Sequence, residues 1–146
     1  MIAGRAFLAS AAALQNGPAE ADWRSAVSRA YYAAFHEARM LFHSLGFRVP
    51  RAEQAHAYLW LRLSNCGDPQ VRQAGTQLNH LRGQRNVADY DLALTVTQRD
   101  ASVHVQSALR IVRILDAASA EPTRTRITDA MKVYERDVLK QVTWTP

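Results

Sequence analysis

With 146 residues the chain is sized for one domain that buries most of its apolar surface without covalent staples. Its lone cysteine, Cys66, permits no internal disulfide and no Cys-rich metal site, which implies a reducing, cytoplasmic setting. The net charge of +5 rests on 16 Arg and only two Lys, Lys132 and Lys140, a skew that suits planar contact with phosphate or carboxylate but that GC-rich codon usage also produces; with no basic block, charge alone supports a nucleic-acid partner only weakly.

Nearly every segment repeats its apolar residues at the helical period and none alternates as a strand does, which predicts an all-α fold. A first helix spans about Ile2 to Gln15, with Ile2, Phe7, Ala11 and Leu14 in helical spacing, and stops at Asn16-Gly17-Pro18. That spacing and a weak apolar content argue against a secretory signal, and no run approaches the roughly 20 apolar residues of a membrane span. The second helix, about Ala19 to Leu45, is the longest at roughly 40 Å by the helical rise. Trp23, Val27, Ala30, Ala34, Leu41 and Leu45 mark its core stripe, and Gly46 ends it. A third helix follows Val49-Pro50 and runs to about Ser64, where Asn65-Cys66-Gly67 stops it. Asp68-Pro69 then supplies an N-cap and first position for a fourth helix to about Val87. Ala88 to Thr97 reads as a loop carrying Asp89, Tyr90 and Asp91.

A fifth helix, about Gln98 to Ser119, carries Ala101, Val105, Ala108, Val112 and Leu115 on one face, with Ile111 and Ile114 beside them. Glu121-Pro122 interrupts, and Ile127, Met131, Tyr134 and Val138 mark a last short helix before a polar tail with Trp144. Short connections between long helices imply antiparallel neighbours, hence an up-and-down bundle of about five helices over residues 1–120. Residues 121–146 read as a helical appendage and tail that packs on a partner or a second subunit.

The segment richest in chemistry is Leu81 to Leu92, LRGQRNVADYDL. Val71, Ala74, Leu78, Leu81 and Arg85 fall at steps of three and four, so Arg85 continues an apolar stripe. A guanidinium has five fixed donors and keeps its proton, so burying it without an anion costs on the order of 3 to 5 kcal/mol. Either Asp89 or Asp91 closes a structural ion pair one turn on, or the partner is a phosphate. Asp89 and Asp91, on opposite sides of an extended segment, are a weak acid-base signal.

Arg29, Tyr32, His36, Arg39 and His43 form a second stripe at helical spacing, either a solvated or subunit-facing surface or a wall of the cleft before Arg85. His36 and His43 stand about 10.5 Å apart along the axis, too far for one metal ion to hold both. His56, His80 and His104 sit alone on separate helices, and His80 lies about 140° around its helix from Arg85. There is no Gly-rich phosphate loop, no serine nucleophile elbow and no zinc-finger spacing, so neither a cofactor nor a metal is expected. Cys66 reads as an ordinary thiol.

The string Ser28-Arg29-Ala30-Tyr31-Tyr32-Ala33-Ala34-Phe35-His36-Glu37-Ala38-Arg39, followed some fifty residues on by Arg85-Asn86-Val87-Ala88-Asp89-Tyr90-Asp91, resembles the HEPN superfamily over about Asp22 to Ala118. It is nearest the small stand-alone bacterial and archaeal branch whose second motif ends in Ala-Asp-Tyr. The resemblance implies a dimerising bundle with its motifs facing across the interface. It also implies RNA or nucleotide binding or metal-independent ribonuclease activity, in toxin-antitoxin or defence systems, and a nucleotidyltransferase or antitoxin partner. The family's active motif is Arg, a polar residue, then His. Arg85 and Asn86 match, whereas Tyr90 stands at the first of the histidine's places and Leu92 where some members carry a modified tyrosine. Metal-free RNA cleavage needs proton transfer near neutrality, for which histidine is suited and tyrosine, with a pKa near 10, is a poor base. Tyr90 can still donate a hydrogen bond or a proton, and Asp89 and His36 are the nearby helpers.

Overall fold

A computed structural model describes residues 1–146 and contains six α-helices and no strand. In chain order they are α1 (Ala6–Gln15), α2 (Glu20–Leu45), α3 (Gln54–Ser64), α4 (Pro69–Tyr90), α5 (Gln98–Ala118) and α6 (Thr123–Tyr134), the last running into one wide π-helical turn, Glu135–Leu139. The fold is an all-α up-and-down bundle. Its centre is α2, which packs against α1, α4 and α5. Ala26, Ala30, Ala33, Ala34 and Ala38 are fully buried along α2, so neighbouring helices approach closely on more than one side. Val27, Leu41 and Leu45 fill the rest of the stripe, while Trp23 stays half-buried. No helix is long and apolar enough to cross a membrane.

Local signals in the sequence explain most helix ends. Asp68 caps α4 by accepting hydrogen bonds from the N–H groups of Gln70 and Val71, each at 3.0 Å, and Pro69 occupies the first turn where no donor is needed. Thr97 and Asp100 form a reciprocal capping box at the start of α5. Gly46 ends α2 at a φ of 102°, a left-handed conformation that costs glycine nothing. At Gly75 a Cβ would lie 2.8 Å from both the Leu63 side chain and the Ser64 backbone, and this absence of a side chain lets α3 seat directly on α4.

Three expectations change. The first helix begins at Ala6, and Ile2 lies outside it and exposed. Arg5, just ahead of the helix, is instead held by Glu37 and Asp116. The fourth helix runs on through Tyr90, so Asp89 and Tyr90 are helical residues rather than loop residues. The guanidinium of Arg24 explains this: it donates to the carbonyls of Val87, Ala88 and Asp91, binding the end of the helix to α2. Finally, the C-terminal segment packs on its own chain. Ile127 and Met131 are fully buried, which contributes roughly 1.5–3 kcal/mol per side chain. Val138 is exposed, because the π turn shifts the register after Tyr134 and brings Glu135 inward in its place.

Candidate functional site

The end of α4 meets the middle of α2 and the start of α3 around Arg85. The stripe Val71, Ala74, Leu78, Leu81 and Ala88 is buried on either side of it, and Arg85 itself is only 6% exposed. Its guanidinium carbon stands 5.5 Å from the ring of Tyr31, 5.4 Å from Tyr32 and 6.0 Å from Tyr90, so three aromatic rings face one cation. The nearest carboxylate, Asp89, is 3.6 Å from Nη1, beyond hydrogen-bonding distance, and it accepts a hydrogen bond from Ser28 Oγ at 3.2 Å. Arg85 Nε is buried and has no partner at all. Asp91 gives Arg85 nothing: its carboxylate makes no hydrogen bond or ion pair, and its backbone carbonyl accepts from Arg24.

Arg82, one turn before Arg85, extends the positive charge. Its Nε is also buried without a partner, and it reaches Glu53 of the α3 N-terminus only at 3.5 Å. Two arginines with open donors in one small volume create a positive potential that an anion would relieve. Tyr31 and His56 lie beside them and are hydrogen-bonded through the phenol oxygen and Nδ1. Burial pushes the Tyr31 phenol up against the opposite pull of Arg82 and Arg85. Burial and the charge of Arg82 push His56 below its usual range, with Arg85 adding to the effect and Glu53 opposing it. The imidazole is therefore held in its neutral form at pH 7, sharing one hydrogen bond with the phenol.

The sequence-predicted residues separate into two groups. Arg85, Asp89 and Tyr90 come together, with Tyr90 75% exposed at the mouth of the aromatic cage. Asn86 is exposed one residue further round α4 and makes no hydrogen bond to Arg85. Tyr32 belongs to the cage, whereas His36 lies on its far side, stacked on Phe7 with ring centroids 5.4 Å apart. His36, Arg39 and His43 line a separate groove against the N-terminal segment. His80 pairs with His104, away from Arg85.

Sequence reading left Arg24 and Arg62 unremarked and took His56 to stand alone, whereas it pairs with Tyr31; the same helical spacing marks all three. Arg24 precedes Val27 and Tyr31 at steps of three and four; His56 precedes Leu59 and Leu63; Arg62 follows Leu59 by three. All three are buried polar residues on apolar faces. Arg62 donates from Nε to Glu135 at 2.8 Å and from Nη1 to the Tyr58 carbonyl at 3.3 Å, and stacks 3.5 Å over the Tyr58 ring. Glu135 in turn accepts from the backbone N–H of Thr143 at 2.9 Å and of Trp144 at 3.3 Å, and from the Thr143 hydroxyl. Trp144 completes the strap by donating from Nε1 to the Leu45 carbonyl at 2.8 Å.

A family model described as HEPN domain matches residues 2–118, which includes the cage and the groove beside it. No curated protein and no solved structure matches the chain.

Proposed function

The chain belongs to the HEPN family, and from that premise we propose that it binds RNA by gripping a phosphate with Arg85 and acts there as a metal-independent endoribonuclease. One observation carries the reading: Arg85 is buried among three tyrosines with its nearest carboxylate at 3.6 Å and its Nε unpartnered. A phosphate oxygen can take those donors in the two-pronged geometry that guanidinium favours, and the rings around it exclude water and strengthen the contact. HEPN domains commonly dimerise, and a homodimer with its motifs face to face would present two Arg85 side chains to one strand. An antitoxin or a nucleotidyltransferase is the protein partner that a toxin of this family implies, in a cytoplasmic setting.

The reaction this site suits is transesterification. The 2′-hydroxyl oxygen attacks phosphorus as its proton leaves to a base, the bond from phosphorus to the 5′-oxygen breaks, and that oxygen takes up a proton. Arg85 stabilises the negative charge on the phosphorane, which is usually a large catalytic contribution. Tyr90, exposed beside it, donates to the leaving oxygen, and Asn86 contacts the strand from the open side. Asp89 is the proton acceptor nearest the phosphate. Because carboxylates accept alcohol protons poorly at neutral pH, turnover is slow.

A second reading, a nucleotide-binding or protein-interaction dimer without catalysis, has its own observation. Tyr90 replaces the motif histidine, and the two nearest imidazoles are both withheld: His56 is buried on Tyr31, and His36 stands behind Tyr32. Incubating end-labelled RNA with purified protein in excess chelator, beside Arg85→Ala and Tyr90→Phe, separates the two. Cleavage that survives chelator and vanishes in Arg85→Ala supports the nuclease. Clean wild-type protein that binds the RNA and leaves it intact supports the second reading.

A further inference from the structure

The exposed face of α2 does not stop at the cage. Tyr32 touches Arg85 on one side and faces His36 on the other, with ring centroids 6.1 Å apart. His36 stacks on Phe7 of α1 at 20° between ring planes, and the Arg29 guanidinium sits 5.8 Å over the Phe7 ring. Further along, Arg39 and His43 line a groove of about 470 Å³ between α2 and the N-terminal segment. The one acid on this stretch of α2, Glu37, is tied to Arg5. Neither Arg29 nor Arg39 is in an ion pair, although eight ion pairs are formed elsewhere in the chain. The result is a line of unneutralised cations alternating with flat rings, beginning at the site already described.

We propose that Arg29, Tyr32, Phe7, His36, Arg39 and His43 form a track for single-stranded RNA that carries the nucleotides flanking the phosphate held by Arg85. The inference rests on the reading of Arg85 as a phosphate clamp. Rings stack on unpaired bases whatever their identity, and interleaved cations follow the backbone, which is the chemistry of sequence-tolerant single-strand binding. A duplex keeps its bases stacked inside and offers the rings nothing. From Arg29 to His43 the track spans about 21 Å by the helical rise. That length holds roughly four nucleotides, at the short end of known single-strand sites. Burial and the neighbouring Arg39 lower the proton affinity of His36, with Glu37 opposing them, so at pH 7 it serves as a ring rather than a charge.

The test is fluorescence anisotropy with a labelled dinucleotide and a labelled single-stranded octanucleotide of RNA, over a salt series. The proteins are wild type, Arg29→Ala/Arg39→Ala and Arg85→Ala, each also sized by light scattering. Arg29 is exposed and Arg39 half-buried, and neither makes a hydrogen bond or an ion pair, so the double variant removes no internal contact of that kind and is expected to fold, which its thermal midpoint and light scattering check. We expect it to bind the octanucleotide at least tenfold more weakly, to bind the dinucleotide as wild type does, and to lose about 1.4 from the slope of log affinity against log salt, 0.7 for each phosphate contact on a single strand. Arg85→Ala weakens both ligands. Unchanged octanucleotide affinity in the double variant overturns the track and leaves the Arg85 clamp standing. Equal losses on both ligands together with a change of oligomeric state also overturn it, by showing that this face holds two copies together. If Arg85→Ala leaves both ligands unaffected, the clamp itself fails, and a length-dependent loss in the double variant would then support the track alone.

Discussion

Two arginines, Arg62 on α3 and Arg85 on α4, occupy equivalent positions in their helices, each on the apolar stripe and each almost without solvent contact. They end in opposite states. Arg62 has a carboxylate at hydrogen-bonding distance, a carbonyl and a stacked ring, and its carboxylate is held from behind by Thr143 and Trp144. Arg85 has a carboxylate just out of reach and rings at 5.4 Å or more. The first arginine makes two hydrogen bonds within its own chain and leaves only Nη2 without a partner; the second makes none. A buried cation that hydrogen-bonds a carboxylate within the chain is structural, and one with no hydrogen bond at all has its free energy lowered by something that arrives. Arg24 supports the rule from a third position, since its donors are spent on Glu20 and on the carbonyls that end α4.

The largest effect is expected from breaking the closed pair. Glu135→Ala strands the Arg62 charge in a fully buried position and should cost about 3 to 5 kcal/mol, read as a fall in the urea or thermal midpoint. Replacing both partners together, Arg62→Met with Glu135→Leu, should recover most of that loss, since the stranded charge is then gone. Acid should attack the same contact. Burial alone would raise the Glu135 carboxyl, but Thr143 and Arg62 hold it below its ordinary 4.5. Because the folded value lies below the unfolded one, the pair stabilises the fold above about pH 4.5 and that contribution disappears as the pH falls through the folded value. Trp144 emission in a Trp23→Phe/Trp60→Phe background should report the strap loosening below pH 4.5, before the helical circular dichroism is lost. The smallest effect sharpens the open side. Asp89→Asn removes the one anion near Arg85 and should tighten RNA binding severalfold in an anisotropy titration, with the melting temperature nearly unchanged.

Which parts could be read from residues alone follows from where the information lies. Arg85 was legible because its position on the stripe is a local property of α4. The end of α4 was not, since the carbonyls of Val87 and Ala88 accept from Arg24 on α2, more than sixty positions away in sequence. His56 was legible in principle by the same spacing, but its meaning depends on α3 seating on α4 at Gly75, which brings it to Tyr31 and Arg82. The reach of the C-terminal segment was hidden twice. A π turn breaks the helical count between Met131 and Val138, and Trp144 docks through a single antiparallel bridge to Phe47, beside Gly46. Helix identity and stripe membership are short-range properties; the satisfaction of a buried donor is a long-range one.

The most direct test makes the same substitution at both arginines. Methionine keeps the apolar stem and removes the charge, so Arg62→Met and Arg85→Met differ only in what each guanidinium was doing. For each variant the unfolding free energy and the affinity for a single-stranded RNA octanucleotide would be measured on one preparation. The account predicts that Arg62→Met loses about 3 to 5 kcal/mol of stability. It predicts that Arg85→Met is no less stable than wild type, because removing a buried charge without a firm partner also removes its desolvation cost, and that it binds RNA at least tenfold more weakly. An Arg85→Met protein as destabilised as Arg62→Met, or one that binds RNA as wild type does, would contradict it.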